Sequence, residues 1–160
     1  MKKAVLSVLI LLSLGSQAQN VTFSKHSRIV KTADTPEMAT AAGILQRYLS
    51  EATGYSFPES QSPSARKGDI LLRDFKGLPE DSFRIGTENG AVVLESTGKG
   101  LIYAACDFLE QEMGMDYWGD GEYFLPKRTS AQVRTRTEVP AFRYRQTSHY
   151  SLRNGKVATS

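Results

Sequence analysis

One cysteine, Cys106, stands in 160 residues, so the chain cannot hold a disulfide framework. The two histidines, His26 and His149, lie in different regions with no Cys/His cluster beside either, which excludes the usual zinc spacing. No Gly-x-Ser-x-Gly elbow accompanies the serines, so a Ser-His-Asp nucleophile has no support. Thr97-Gly98-Lys99-Gly100 could open a helix onto an anion, but it lacks the full spacing of a phosphate-binding loop. No cofactor and no metal is expected. Charge of one sign is also scarce. The formal net charge is +3, and a near-neutral chain without a basic run gives no electrostatic case for nucleic acid or an anionic membrane. Nor is there an apolar run of the roughly twenty residues a membrane span needs.

The longest apolar run, residues 4–14, follows Lys2 and Lys3 and precedes Ser16-Gln17-Ala18. A positive start, an apolar middle and small residues at the cleavage positions make residues 1–18 a signal peptide. The expected location is therefore periplasmic or extracellular, with no membrane anchor, since no cysteine follows the cleavage site. Removing Lys2 and Lys3 leaves 18 basic against 17 acidic residues, a net charge of +1. What remains is enough for one domain, burying about two-thirds of its unfolded surface.

Residues 21–32 read as extended. A helix then starts with Asp34 or Thr35 as cap and Pro36 in its first turn, where the missing N–H is harmless. Met38, Ala41, Ala42, Leu45, Tyr48, Leu49 and Ala52 share one face, and Gly54 ends the helix. Residues 57–67 read as a surface loop and 70–73 as a buried strand. Residues 83–87 and 91–95 flank Asn89-Gly90, a strong hairpin signal because both residues tolerate the positive φ of a type I′ turn. A second helix is expected over 98–113, with Ile102, Ala105, Cys106, Leu109 and Met113 as its buried stripe, Leu101 and Phe108 flanking it and Gly114 as cap. The order of elements predicts an α/β (α+β) fold: a small, mostly antiparallel or mixed β-sheet with two helices packed on one face. The accessory domain is set at 20–126 and a linker at 127–138. A following domain is expected to begin within 139–160, where alternation suits a strand.

Residues 113–126, MGMDYWGDGEYFLP, concentrate aromatics and acids. Asp116, Asp120 and Glu122 raise the question of a carboxylate pair, which glycoside hydrolysis needs at about 5–10 Å separation; acids in a glycine-containing loop are also commonly solvated or cap turns. Tyr117, Trp118, Tyr123 and Phe124 can stack on a sugar, or pack on the sheet or a neighbouring domain. Arg143 and Arg145 alternate, so they face one side of a strand, ready to pair with carboxylates of a following domain or to stand at a solvated edge.

The order of motifs carries a resemblance. RIVKTADTPEMATAAGILQRYLSEATGYSFP, with Leu45, Tyr48, Leu49, Thr53 and Gly54 at characteristic places, resembles the opening of the accessory N-terminal domain of α-glucuronidases and related secreted glycoside hydrolases. DSFRIGTENGAVVLESTGKGLIYAACDFLEQEMGMDYW looks like its remainder: a hairpin, a Gly-Leu-Ile-Tyr helix start at Gly100, then Phe108-Leu109-Glu110, Gly114 and an aromatic pair. The β-hexosaminidase type of N-terminal domain is similar in the same places. VPAFRYR resembles the segment entering the first strand of a catalytic barrel. The resemblance implies a non-catalytic domain in carbohydrate degradation whose partner is its own downstream barrel. It puts the catalytic carboxylates on that barrel, at the ends of strands spread over about 250 residues. No catalytic residue therefore carries over to this chain, which is expected to be truncated before the barrel. The alternative is a stand-alone carbohydrate-binding module that meets oligosaccharide through Trp118 and Tyr123.

Overall fold

The computed structural model describes residues 18–119 and 121–141. Helix α1 (Pro36–Thr53) begins as its sequence dictates: Thr35 is the cap, its hydroxyl accepting from the Met38 N–H at 3.2 Å, and Pro36 follows. It ends at Gly54, whose φ of 76° few other residues adopt without strain. The expected stripe is buried, with Tyr48 at its margin.

Six strands precede the second helix: β1 (Gln19–Thr22), β2 (Ile29–Lys31), β3 (Glu59–Gln61), β4 (Ile70–Asp74), β5 (Phe83–Glu88) and β6 (Ala91–Ser96), which completes a hairpin with β5. Asn89 and Gly90 turn that hairpin at φ of 52° and 77°. Helix α2 is Gly100–Gln111, and β7 (Asp116–Gly119), β8 (Glu122–Phe124), β9 (Ser130–Val133) and β10 (Arg136–Glu138) follow. The main sheet is mixed, in the order β10-β5-β6-β4-β2-β3. Its β6-β4-β2-β3 portion is parallel, and β5 and β10 run antiparallel at one side.

Alternation along the strands sorts the two faces. Ile29, Ile70, Leu72, Ile85, Val92 and Leu94 point to the side covered by both helices, where Met38, Leu45, Leu49, Phe108 and Leu109 meet them in one core. Val30, Leu71 and Val93 point the other way and form a small second cluster under Ala65. The fold is thus α+β with both helices on one sheet face.

Five local expectations change. The extended stretch 21–32 is two strands in different sheets, because a turn around Ser24–Ser27, held by the Ser27 hydroxyl, separates β1 from β2. Loop 57–67 contributes β3, an edge strand too short to show periodicity. The segment 127–138 is no free linker. Ala131 and Val133 of β9 bury themselves against β1, and β10 pairs with β5. Its polar character misleads because Lys127 and Arg128 serve the two helices, neither of which has a basic residue in its last turn. Lys127 donates to the Glu51 carbonyl at 2.6 Å, the Arg128 backbone to Ala52 at 3.0 Å, and the Arg128 guanidinium to Glu112 at 3.2 Å. These are the orphan carbonyls of helix C-termini, where cations are favoured. Residues 139–141 form no strand, and the rest of the strand expected there, including Arg143 and Arg145, lies outside the described residues.

The fifth change concerns Cys106, which is exposed rather than buried. The buried face of α2 runs through Leu101, Ala104, Ala105, Phe108 and Leu109, so the stripe is centred one residue away from the expected one and Cys106 turns outward. Partial burial raises its thiol pKa, aided by Glu110 and Asp107, so it is held as a thiol rather than a nucleophilic thiolate.

Candidate functional site

The aromatic segment forms a hairpin beyond the end of α2. Gly114, at φ 73°, turns the chain out of the helix. β7 and β8 then pair with Asp116 opposite Phe124 and Tyr117 opposite Tyr123, and an irregularity follows Tyr117. Gly119 and Gly121, both at positive φ, flank the turn; Asp120 lies outside the described residues.

The hairpin separates the four aromatics that sequence grouped together. Tyr123 is the anchor. Its ring meets Tyr48 of α1 edge-on at 5.2 Å, and its hydroxyl donates to Glu51 at 2.7 Å. That bond to a carboxylate raises the tyrosine pKa and keeps the donor proton in place. The other three project outward: Tyr117 is 53% exposed, Trp118 65% and Phe124 56%. Trp118 is steadied by its ring N–H donating to Asp116 at 2.9 Å. Of the four, only Tyr123 packs on the domain's own core; Tyr117, Trp118 and Phe124 stand exposed.

The two described acids of this segment, Asp116 and Glu122, lie on opposite strands of the hairpin. Asp116 is engaged by Trp118, and Glu122 stands exposed on the opposite strand. Two other carboxylate clusters exist that sequence reading missed. On the outer sheet face Arg73 pairs with Glu88 at 2.8 Å and Glu95 at 2.7 Å, while Arg84 also pairs with Glu95 and covers the Phe75 ring at 4.9 Å. Beside the end of α2, Arg136 grips Glu112 with both terminal nitrogens and Asp107 through Nη2 and Nε. This second cluster lines a groove of about 1470 Å³ together with Asn20, Gln111, Gln132 and Arg134. It resembles a site in having a buried carboxylate beside a cavity. The guanidinium holds both oxygens of Glu112 and one oxygen of Asp107. Burial pushes Glu112 up from the ordinary carboxylate range against the opposing pull of Arg136, and the two acids raise the pKa of Arg136. No signal in the sequence pointed to this cluster, because its members are 24 and 29 residues apart. Among the described residues no group of His, Cys, Asp and Glu could hold a metal ion.

The Thr97–Gly100 stretch has a packing function. A Cβ on Gly100 would lie 2.5 Å from the Ser82 carbonyl oxygen and would overlap the Ser96 hydroxyl, which itself donates to that carbonyl. The glycine lets α2 start against β5 and β6, and the Gly-Leu-Ile-Tyr motif reflects that close approach.

No family model matches the sequence, and no curated protein does. Solved structures share the fold. A GH20 β-N-acetylhexosaminidase from Streptomyces coelicolor superposes with a TM-score of 0.61 at 19% identity over 82% of this chain. The β-hexosaminidase of Streptomyces plicatus gives 0.59 at 18% over 80%, and a GH20 exo-β-N-acetylglucosaminidase from Vibrio harveyi 0.57 at 17% over 82%. The match takes up 26%, 25% and 18% of those three chains respectively, so this chain spans at most about a quarter of their length. At such identities the likeness establishes a common fold.

Proposed function

We propose that this chain is the non-catalytic N-terminal domain of an exported glycoside hydrolase and that it supports a catalytic barrel lying downstream. The observation that carries this reading is the fold shared with a minor part of three β-hexosaminidase-type enzymes, over four-fifths of this chain. The order of sequence motifs supports the same family. The hairpin gives the domain its contact surface. Tyr117, Trp118 and Phe124 are large, rigid and exposed, while Tyr123 fixes their base to α1. Exposed aromatics clustered this way are uncommon on a surface meant only for water.

The rival reading, an oligosaccharide-binding platform built on Trp118, makes opposite demands. On the barrel-contact reading, calorimetry of the purified chain against chito- and xylo-oligosaccharides shows no saturable heat. Trp118→Ala then changes the stability of the chain by no more than about 0.5 kcal/mol, as for an ordinary surface site. In a gene product read past codon 160 and carrying the barrel, the same substitution lowers stability by about 2 kcal/mol or more, because a packed aromatic is lost. Saturable sugar binding abolished by Trp118→Ala with the fold intact would instead make the chain a binding module.

A further inference from the structure

Strand β1 opens at Gln19, an exposed residue whose side-chain amide oxygen accepts a hydrogen bond from the Thr87 hydroxyl. The two residues are 68 apart in sequence, and the fold alone brings them together. β1 pairs with β9 along its length, Gln19 lying opposite Val133. β10 follows β9 closely and pairs with β5. The start of β1 is thereby carried to the far end of β5, where Thr87 sits.

Gln19 also stands at a chemical boundary. Ser16-Gln17-Ala18 places small residues where a signal peptidase reads, so cleavage after Ala18 makes Gln19 the first residue of the exported chain. A glutamine in first position holds an amine and a carboxamide within ring-closing reach of each other. The α-amine has an ordinary pKa of about 7.7–8.0, so a useful share of it is neutral and nucleophilic at neutral pH. Its nitrogen attacks Cδ, the bond from Cδ to the side-chain nitrogen breaks, one amine proton passes to that nitrogen, and ammonia leaves. The product is a lactam, and no oxidant, cofactor or second substrate enters. During the attack negative charge builds on Oε1, the atom to which Thr87 already donates. A donor set on the oxygen where charge develops lowers the barrier.

We propose that Gln19 is a modification site: after export it closes to pyroglutamate, with the Thr87 hydroxyl holding its carbonyl oxygen through the reaction. The lactam removes the positive charge of the new amino terminus at the first residue of β1. It also leaves no free α-amine for an aminopeptidase to grip. The oxygen that Thr87 holds is kept in the ring as an acceptor. The inference rests on the exported state proposed above and is independent of any barrel.

The intact mass of the 160-residue chain, expressed in a bacterium with its own leader and recovered outside the cytoplasm, tests it first. The expected species begins at Gln19, is lighter than that sequence by one ammonia, and resists amino-terminal sequencing. Gln19→Asn, too short to close the same ring, shows no such loss. A chain that begins at Gln19 with a free amine overturns the proposal and leaves export standing. A chain that begins elsewhere, or keeps its leader, removes the export reading and the proposal with it. Thr87 is tested by rate. A chain released in vitro with Gln19 first loses ammonia faster than a peptide of residues 19–25, and Thr87→Val slows the chain by roughly two- to tenfold, the worth of one hydrogen bond. A rate that Thr87→Val leaves unchanged or raises overturns the part given to Thr87.

Discussion

Arg136→Met lowers the stability of the domain by about 3–5 kcal/mol at neutral pH, the usual result of stripping the partner from a buried charge. Glu112 is the reason. Its side chain is almost fully enclosed and is held by both terminal nitrogens of Arg136, which also serves Asp107. Methionine fills the volume of the arginine stem but offers no charge, so Glu112 is left ionised in a poor solvent. The loss depends on pH in a determined direction. Burial already pushes the Glu112 pKa up in the folded chain, and Arg136 pulls it down. Without Arg136 the folded value rises further, whereas the unfolded value stays at its ordinary 4.5. A raised acid pKa disfavours the folded state wherever the unfolded group is ionised, so the deficit is full at neutral pH and shrinks as pH falls through the folded pKa toward 4.5. Denaturant titration of both proteins at neutral and at mildly acidic pH checks the magnitude and the sign. Because Arg136 also ties β10 to α2, the variant should open first along 127–138, where Lys127, Arg128, Arg134 and Arg136 itself mark tryptic sites in the parent chain.

Gly100→Ala costs about 1–3 kcal/mol, the range for overpacking a tight contact. Two effects oppose this. Alanine is the better helix former and it narrows the unfolded ensemble, together favouring the variant by less than about 1–2 kcal/mol. The collision decides the sign, because the added Cβ meets the Ser82 backbone oxygen at 2.5 Å and the Ser96 hydroxyl that bonds to it. The first is backbone and the second is a buried hydroxyl fixed by its bond to that carbonyl, so α2 must shift on the sheet. Gly98→Ala, where no atom lies within 4 Å but φ is 58°, separates backbone strain from packing. Thermal unfolding of the two variants should show Gly100→Ala to be the more damaged.

Legibility in the sequence followed the range of the interactions. Helix α1 was readable end to end because its signals are local: Thr35 and Pro36 at the start, a stripe from Met38 to Ala52, and Gly54 at the end. The β5-β6 hairpin was readable for the same reason, through Asn89-Gly90. The periodicity of helix α2 marks the helix but puts Cys106 on the wrong side. Small residues at 104, 105 and 106 allow two adjacent stripes, and only the packing against β5 and β6 chooses between them. The segment 127–138 was opaque because what orders it comes from elsewhere. Lys127 and Arg128 answer carbonyls at the ends of α1 and α2, Ala131 and Val133 answer β1, and Arg136 answers acids more than twenty residues earlier. Composition recorded its polarity without its partners. The aromatic hairpin was legible as a feature and divided only in three dimensions, where Tyr123 turns to Tyr48 and the other three do not.

The proposed role, support rather than cleavage, requires the chain to be catalytically silent alone. The purified domain, assayed with aryl glycosides that include N-acetyl-β-glucosaminides, should release no more aglycone than buffer across the pH range of carboxylate catalysis. Turnover that is saturable and disappears in Glu122→Gln would contradict the account, because it would put a working acid in the hairpin proposed to make contact with the barrel.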